Sequence, residues 1–599
     1  MGDWMTERET LPELICRMLS QPREDAFVER RGERWESFSN EQILTRARNL
    51  ATAIHAAGLQ RGDRVALIGR NSLDWIVTSF AILMSGCIVV PVFPTQAVDI
   101  TAYILKHSEA KLLFVDSDET LGILSAGITA LPRSLVFETN GPLALADFEA
   151  TGAQARRDDA SLPLPYYSAL AADDLAILIY TSGTTGNPKG VMLSHDNIAF
   201  NAKSALFGAF YELTQEDRVL SVLPYSHIYE QTMLFIYLLA RPSYYLCHDP
   251  NELVADLLHA RPNYMTCVPR IFDRVLAGVN GTAMRAGGAQ ARLVPWALRI
   301  ARHWARAKTF GGSNPLLSAQ YVIAKRLVLD KVRAKLGLDA MKYFSSGSAA
   351  LHVDVAMTYL GLGMPIMQGY GLTETSPVVT ANYPDRNCYG SVGTAIPGVD
   401  ISIASDGEIL TRGRHVMLGY YREAEATQAV LSGGWFHTGD IGEIDAKGFL
   451  SITDRKKEVF KTATGKYVAP ARVESAIKRS MFVAQAMVFG DGRPYPGAFI
   501  CPNWENLRVE MALPPDATPE QLAKRSDVQE FFGAELRKRT ADLGSFEQIR
   551  RAVILAREFS VESGELSPSM KVKRRIVESR HAGEIDAFYR SDPKIASLA

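Results

Sequence analysis

Residues 176–190 read Ala176-Ile177-Leu178-Ile179-Tyr180-Thr181-Ser182-Gly183-Thr184-Thr185-Gly186-Asn187-Pro188-Lys189-Gly190. The first five residues form a short apolar run, the pattern of a buried strand. A turn dense in glycine and hydroxyl groups follows and closes on a lysine. Glycine lets backbone N–H groups converge on an anion and lets a phosphate approach closely. Thr181, Ser182, Thr184 and Thr185 add hydroxyl donors, and Lys189 adds a positive point charge. The spacing differs from the Walker loop, which has four residues between its glycines and then Gly-Lys-Ser/Thr. Here two residues separate Gly183 from Gly186, and Pro188 precedes the lysine. A plain surface turn rarely gathers all these groups directly behind an apolar strand. The stretch therefore reads as a phosphate-binding loop.

Upstream, helical patterns such as Asn40–Ala57 alternate with short β-branched runs at Arg64–Ile68 and Lys111–Val115. Gly58, Gly62 and Asp63 supply the turn between the first helix and the first strand. Such alternation predicts an α/β fold, with mixed or parallel sheets covered by helices. Trp75 to Val98 contains no charged side chain, long enough to raise the question of a membrane span. Ser85-Gly86 interrupts it, and Pro91 and Pro94 break its second half. The expectation is a buried helix to about Met84 and a buried strand at Cys87–Val92.

The chain of 599 residues exceeds what one hydrophobic core sustains, about 250–300 residues. Hydrophobic residues make up 47%, charged residues 22%, and the net charge is −1, which argues against a nucleic-acid partner. The six cysteines, Cys16, Cys87, Cys247, Cys267, Cys388 and Cys501, are scattered with no C-x-x-C pair. Reduced thiols fit better than disulfides or structural zinc. The opening MGDWMTERET is charged and lacks an apolar signal core, so a cytoplasmic location is expected. Residues 281–310 turn basic, with Trp296, Leu298 and Trp304 interspersed. That segment reads either as a solvated surface helix or as a basic face for an anionic membrane or charged ligand. A peripheral position at the inner membrane surface is therefore a further expectation.

Asp454-Arg455-Lys456-Lys457 is a short charged segment suited to a hinge. The domain boundary is placed there, giving an N-terminal domain over 1–455 and a C-terminal domain over 456–599. A charged helix is expected at Asp527–Thr540 within the latter.

The loop Tyr180–Gly190 resembles the phosphate-binding loop of the adenylate-forming superfamily, which includes acyl-CoA synthetases, luciferases and the adenylation domains of peptide synthetases. Further motifs extend the resemblance over almost the whole chain, from Gly62-Asp63-Arg64-Val65 onward. It implies a large N-terminal domain of sheets flanked by helices and a smaller, mobile α+β C-terminal domain. Gln368-Gly369-Tyr370-Gly371-Leu372-Thr373-Glu374 matches the nucleotide motif. By that resemblance Tyr370 lies against adenine, Thr373 contacts the α-phosphate and Glu374 binds Mg²⁺. Gly347-Ser348-Ala349 would form the second adenine wall. In Trp435-Phe436-His437-Thr438-Gly439-Asp440, Asp440 would accept from the ribose hydroxyls, and Arg455 would reach the same ribose.

Gly564-Glu565-Leu566-Ser567-Pro568-Ser569-Met570-Lys571-Val572-Lys573-Arg574 looks like the lysine-bearing loop of the superfamily. Lys571 is the expected catalytic lysine, with Lys573 as the alternative in register. Many members carry glycine just before that lysine; Met570 stands there in this chain, as in the long-chain branch. Lys457 occupies the hinge position, and Lys461–Gly465 would face the pantetheine channel. Leu223-Pro224-Tyr225-Ser226-His227-Ile228-Tyr229-Glu230 resembles the acyl-pocket motif of long-chain synthetases, with His227 and Tyr229 in the pocket. Val268-Pro269-Arg270-Ile271-Phe272 matches that branch too. The run Met233–Leu238 reads as a core helix, and a fatty-acid tunnel would be built from the same kind of side chain.

The resemblance implies a long-chain fatty acid–CoA ligase (AMP-forming), with fatty acid, ATP and coenzyme A as substrates and Mg²⁺ as cofactor. Two rivals stay open. One is a fatty acyl-AMP ligase or acyl-carrier-protein synthetase; the other is a non-catalytic lipid or nucleotide binder on the same fold. Oligomeric state is not legible.

Overall fold

A computed structural model describes residues 4–181, 187–312, 314–456, 458–514, 516–567 and 570–590. The chain divides into two compact units. The first comprises Met1–Ser402, Leu410–Thr438 and Ile444–Ser451; the second comprises Ile403–Ile409, Gly439–Glu443 and Ile452–Ala599. The strands Asp400–Ile403, Glu408–Arg412, Trp435–Ile444 and Leu450–Arg455 carry the chain between them.

The first unit contains two large sheets. In the nine-stranded sheet, six strands pair parallel in the order Ile366–Gly371, Tyr343–Ser346, Tyr264–Cys267, Arg218–Ser221, Ser243–Leu246 and Phe27–Arg31. Antiparallel strands close both edges. In the seven-stranded sheet, Leu175–Thr181, Ile88–Val92, Arg64–Ile68, Leu112–Ser117 and Arg133–Glu138 run parallel. These strands are near-continuous runs of Val, Ile and Leu because helices cover both faces.

The uncharged stretch is core. Leu73–Met84 is a helix in which every side chain except Asp74 is buried. Ser85 and Gly86 end it, Gly86 at φ +76°, and the strand begins at Ile88 rather than Cys87 because the turn consumes that residue. Among the described residues no helix is long and apolar enough to cross a membrane. Asn40–Ala56 starts at a capping box: Ser39 Oγ accepts from Gln42 N at 3.2 Å and Ser39 N donates to Gln42 Oε1 at 2.7 Å.

The second unit is built on a three-stranded sheet of Val483–Phe489, Gly497–Pro502 and Ala552–Ile554. Strand side chains alternate between faces. Val488, Ala498 and Ile500 pack with Val528, Phe532 and Leu536 of helix Ser526–Thr540. Met487, Phe489 and Phe499 pack with Phe588 and Tyr589 of helix Ala582–Arg590. Helices on both faces of a small sheet give this unit its α+β character.

Candidate active site

Leu175–Thr181 returns as Lys189–Ser194 in an antiparallel pair, with Tyr180 opposite Gly190 and Thr181 opposite Lys189. The two strands form a β-hairpin, and Lys189 begins its return strand. Ser182, Gly183, Thr184, Thr185 and Gly186 lie outside the described residues. Gly190 is closely packed: a Cβ there would lie 3.0 Å from Leu178 and 3.3 Å from both Tyr180 and Tyr421. The Lys189 ammonium sits 5.0 Å from the Tyr420 ring centroid and 3.7 Å from Glu423 Oε2.

In the nine-stranded sheet, four neighbouring parallel strands each release an expected motif at the carboxyl end. Arg218–Ser221 leads to Leu223–Glu230, and Tyr264–Cys267 to Val268–Phe272. Tyr343–Ser346 leads to Gly347-Ser348-Ala349, and Ile366–Gly371 carries Gln368 to Gly371 and leads to Thr373 and Glu374. Ligands of open α/β sheets bind outside the carboxyl ends of the strands, so the topology gathers these motifs at the binding edge.

Packing brings several of them into contact. The Tyr229 hydroxyl bonds Ser345 Oγ at 2.9 Å, and its ring packs tightly on Gly347, where a Cβ would lie 3.0 Å away. The residue expected in the acyl pocket therefore adjoins the expected adenine wall. His227 caps helix Ile228–Ala240, its Nδ1 accepting from Tyr229 N at 3.1 Å. Ser348 has φ +67°, a strained left-handed conformation for a residue with a side chain.

Gly369 and Gly371 lie against the neighbouring strand. A Cβ at Gly371 would lie 1.7 Å from the Pro377 carbonyl oxygen. The ladder shifts register between Tyr370 and Gly371, a bulge that re-aims the residues after it. Thr373 and Glu374 stand on the following single turn, Thr373–Thr375. Tyr420 donates its hydroxyl to Glu374 Oε1 at 2.9 Å. Its own strand, Gly419–Tyr420, pairs with Lys189–Ser194, the return strand of the hairpin. Tyr420 thus touches both Lys189 and Glu374, which are far apart in sequence. Tyr420 and Glu423 were not expected from sequence. The only local signal is Gly419, held at φ +140° with Thr427 against it, and an aromatic after glycine names no chemistry.

Glu230 ends the expected acyl-pocket motif, but the sequence reading gave it no role of its own. It is 0% exposed, Ser221 Oγ donates to its Oε1, and burial pushes its carboxyl up to about 8.

The second unit holds the remaining candidates. Asp440 is nearly buried and Arg455 Nε lies 3.2 Å from its Oδ1. Glu408 Oε1 accepts from Gly439 N at 2.9 Å, and Lys456 N donates to Gly439 O at 2.8 Å, fixing the backbone beside Asp440. Lys457 lies outside the described residues. Lys571 closes a tight turn: Leu566 pairs with Val572, and Lys571 N donates to Ser567 Oγ at 3.1 Å. Met570 adopts φ +63°, the conformation glycine takes most readily. Glu565 anchors the turn, its Oε2 accepting from Arg557 at 2.8 Å and from Ser563 Oγ at 2.6 Å.

The sequence pattern of AMP-binding enzymes matches residues 17–421, and that of the AMP-binding enzyme C-terminal domain matches residues 457–593. The chain belongs to the AMP-binding enzyme family. This AMP-binding enzyme is 34% identical over 564 residues to the long-chain-fatty-acid–CoA ligase FadD15 of Mycobacterium bovis, with 93% of each chain covered. It is 31% identical over 628 residues to the human long-chain-fatty-acid–CoA ligase ACSBG2, covering 98% of this chain and 92% of the relative. Its fold matches the adenylation domain of a carboxylate reductase from Mycobacterium chelonae with a TM-score of 0.75 at 22% identity, over 98% of this chain and 92% of that one.

Proposed function

We propose that this AMP-binding enzyme is a long-chain fatty acid–CoA ligase that forms an acyl-adenylate and then an acyl-CoA thioester. The observation that carries the reading is the meeting of Lys189 and Glu374 on Tyr420, beside strand ends that bear the adenine and acyl motifs. Two relatives named for this activity span nearly the full chain.

A carboxylate is a poor acyl donor because its leaving group would be oxide. Its oxygen attacks the α-phosphorus of ATP, the new O–P bond forms, and the bond to pyrophosphate breaks. Two anions must meet, so charge neutralisation and alignment dominate the barrier. The loop Thr181–Gly186 with Lys189 grips the departing phosphates. Gly347, Ser348 and Ala349, with Gln368, Gly369, Tyr370 and Gly371, bound the adenine. Thr373 contacts the α-phosphate, Asp440 and Arg455 the ribose, and Lys571 the α-phosphate and acyl carboxylate. His227 and Tyr229 border the acyl pocket, and the buried helix behind them supplies apolar walls.

Mg²⁺ fits this site as a guest of the nucleotide. Among the described residues no group of three or more His, Cys, Asp or Glu could hold a metal ion unaided. One positioned carboxylate, Glu374, suits a cation that takes its other ligands from phosphate oxygens and water. When bound, it would neutralise phosphate charge. In the second step the CoA sulfur attacks the acyl carbon and AMP leaves. Residues 456–599 form the mobile domain, Lys457 its hinge, and Lys461–Gly465 face the pantetheine.

The test is pyrophosphate release from purified enzyme with ATP, Mg²⁺ and fatty acids of increasing length, followed by product analysis with CoA or acyl carrier protein. Release that requires a long-chain acid, and thioester formed on CoA, support the proposal. Thioester formed only on the carrier protein would overturn the choice of acceptor.

A further inference from the structure

We propose that the helical excursion between Arg274 and Lys335 docks this enzyme on an anionic lipid bilayer. This goes beyond the catalytic reading and does not depend on it. Residues 274–335 contain twelve Lys or Arg and a single acidic residue, Asp330, in a chain of net charge −1. The segment forms Pro269–Ala286, Gly288–Phe310 and a third helix, Pro315–Ala324, continued by a π turn over Lys325–Leu329 and by Asp330–Lys335.

Its inner side is accounted for. Ala297, Ala301 and Ala305, at helical spacing, are buried. Ala301 meets helix Val353–Gly361 so closely that a Cβ at Gly361 would lie 2.3 Å from the Ala301 carbonyl oxygen. Trp304 stacks on Tyr321 at 3.8 Å, locking the second helix to the third.

The outer side is unlike ordinary protein surface. Leu316 is 70% exposed, Val322 62%, Ile323 52% and Leu327 51%. Leu316, Ile323 and Leu327, at spacings of seven and four, share one stripe of the helix, and Lys331 continues it. Val322 and Arg326 form the adjacent stripe. Aliphatic side chains held in water cost free energy, and contiguous ones mark an interaction surface. Arg326 and Lys331 are exposed beside and at the end of this stripe, and Arg292 and Arg299 are exposed on the preceding helix. Apolar side chains projecting between cations, on a helix too short to span, are what an interfacial membrane helix presents. The apolar ridge enters the acyl boundary while the cations meet lipid phosphates. A polyanion such as RNA would satisfy the charge but leave the aliphatic ridge in water, so the lipid surface is the better match.

The full chain is tested by co-sedimentation with vesicles of phosphatidylcholine alone, or with about 30% phosphatidylglycerol. Affinity for the anionic vesicles should be about tenfold or more higher, and should fall sharply when salt is raised from about 0.05 M to about 0.5 M. The triple variant Arg292→Glu, Arg326→Glu, Lys331→Glu should lose the anionic preference. The double variant Leu316→Gln, Leu327→Gln should weaken binding at least tenfold even at low salt. Both variants should keep the parent's pyrophosphate release with a soluble medium-chain acid and its thermal midpoint. Equal binding of parent and variants would overturn the proposal. So would binding to duplex RNA but not to vesicles, or self-association abolished by the leucine variant.

Discussion

At the residue scale, Tyr420 is the most informative contact in the first unit. Tyr420→Phe keeps the ring beside Lys189 and removes only the hydroxyl bond to Glu374. A bond to a charged group contributes about 1.5–3 kcal/mol, so the variant should lose about tenfold or more in kcat/KM for Mg·ATP. Titration of pyrophosphate release against Mg·ATP reads this; an unchanged value would remove Tyr420 from the site. Lys571→Ala should slow adenylation by about 100- to 1000-fold, as loss of one preorganised donor does, measured by acyl-AMP formation in single turnover. Glu230→Gln addresses stability. The folded carboxyl holds its proton to about 8, whereas the ordinary value is 4.5. Between those values the unfolded chain binds fewer protons, so the parent loses stability as pH rises through that window. The glutamine variant should lack this slope, and urea midpoints on either side of the window report it. Lys189 could be singled out from the glycine- and hydroxyl-rich loop it closes, whereas Glu374 was singled out only by the resemblance of its motif, since an acid beside a glycine-rich turn is a weak signal alone. Tyr420 and Glu230 were not singled out, because an aromatic and a buried acid declare their roles only through what they touch.

At the element scale, the apolar run before the loop was legible as a buried strand, Leu175–Thr181, but the return strand Lys189–Ser194 that pairs with it was not expected. Arg64–Ile68 and the helix ending at Met84 were likewise legible from their apolar runs and the glycines that end them. Boundaries moved where hydrogen bonding outran the apolar pattern, as at Leu112–Ser117, which extends past the expected Val115 to pair with the next strand. The sequence motif at Gly371 looks like a nucleotide signature, yet the structure also gives it a packing duty. Gly371→Ala would drive a methyl group into the Pro377 carbonyl, backbone against backbone. Such overpacking should destabilise the protein by about 3 kcal/mol or more and abolish adenylation. A thermal shift with intact activity would contradict that dual role. The excursion from Arg274 to Lys335 was only half legible. Its charge was plain, but the aliphatic stripe became visible only once the helices had turned it outward.

At the scale of the whole molecule, the candidate residues fall into two sets. Lys189, Glu374, Tyr370 and Tyr229 belong to the first unit; Asp440, Arg455 and Lys571 belong to the second. A chain that performs two reactions with one set of residues needs a joint, and the charged segment ending at Lys457, which lies inside the second unit between Arg455 and Lys571, is the proposed one. Lys457→Pro should spare acyl-adenylate formation and impair thioester formation, because proline fixes a backbone torsion that a hinge must change. Equal losses in both half-reactions would refute the hinge. That the chain exceeds one unit was legible from its length. The threading of the chain between units through four strands was not, since short strands there carry no mark of which unit they join.

The central claim is that this enzyme joins a fatty acid to AMP before any thiol is involved. The direct measurement is a single turnover of purified enzyme with ATP, Mg²⁺ and a long-chain fatty acid, without CoA, quenched and resolved for nucleotide products. The account predicts one acyl-AMP per active site with matching pyrophosphate, discharged to acyl-CoA when CoA is added. ADP and phosphate as products, or no acyl-AMP with any fatty acid, would contradict it.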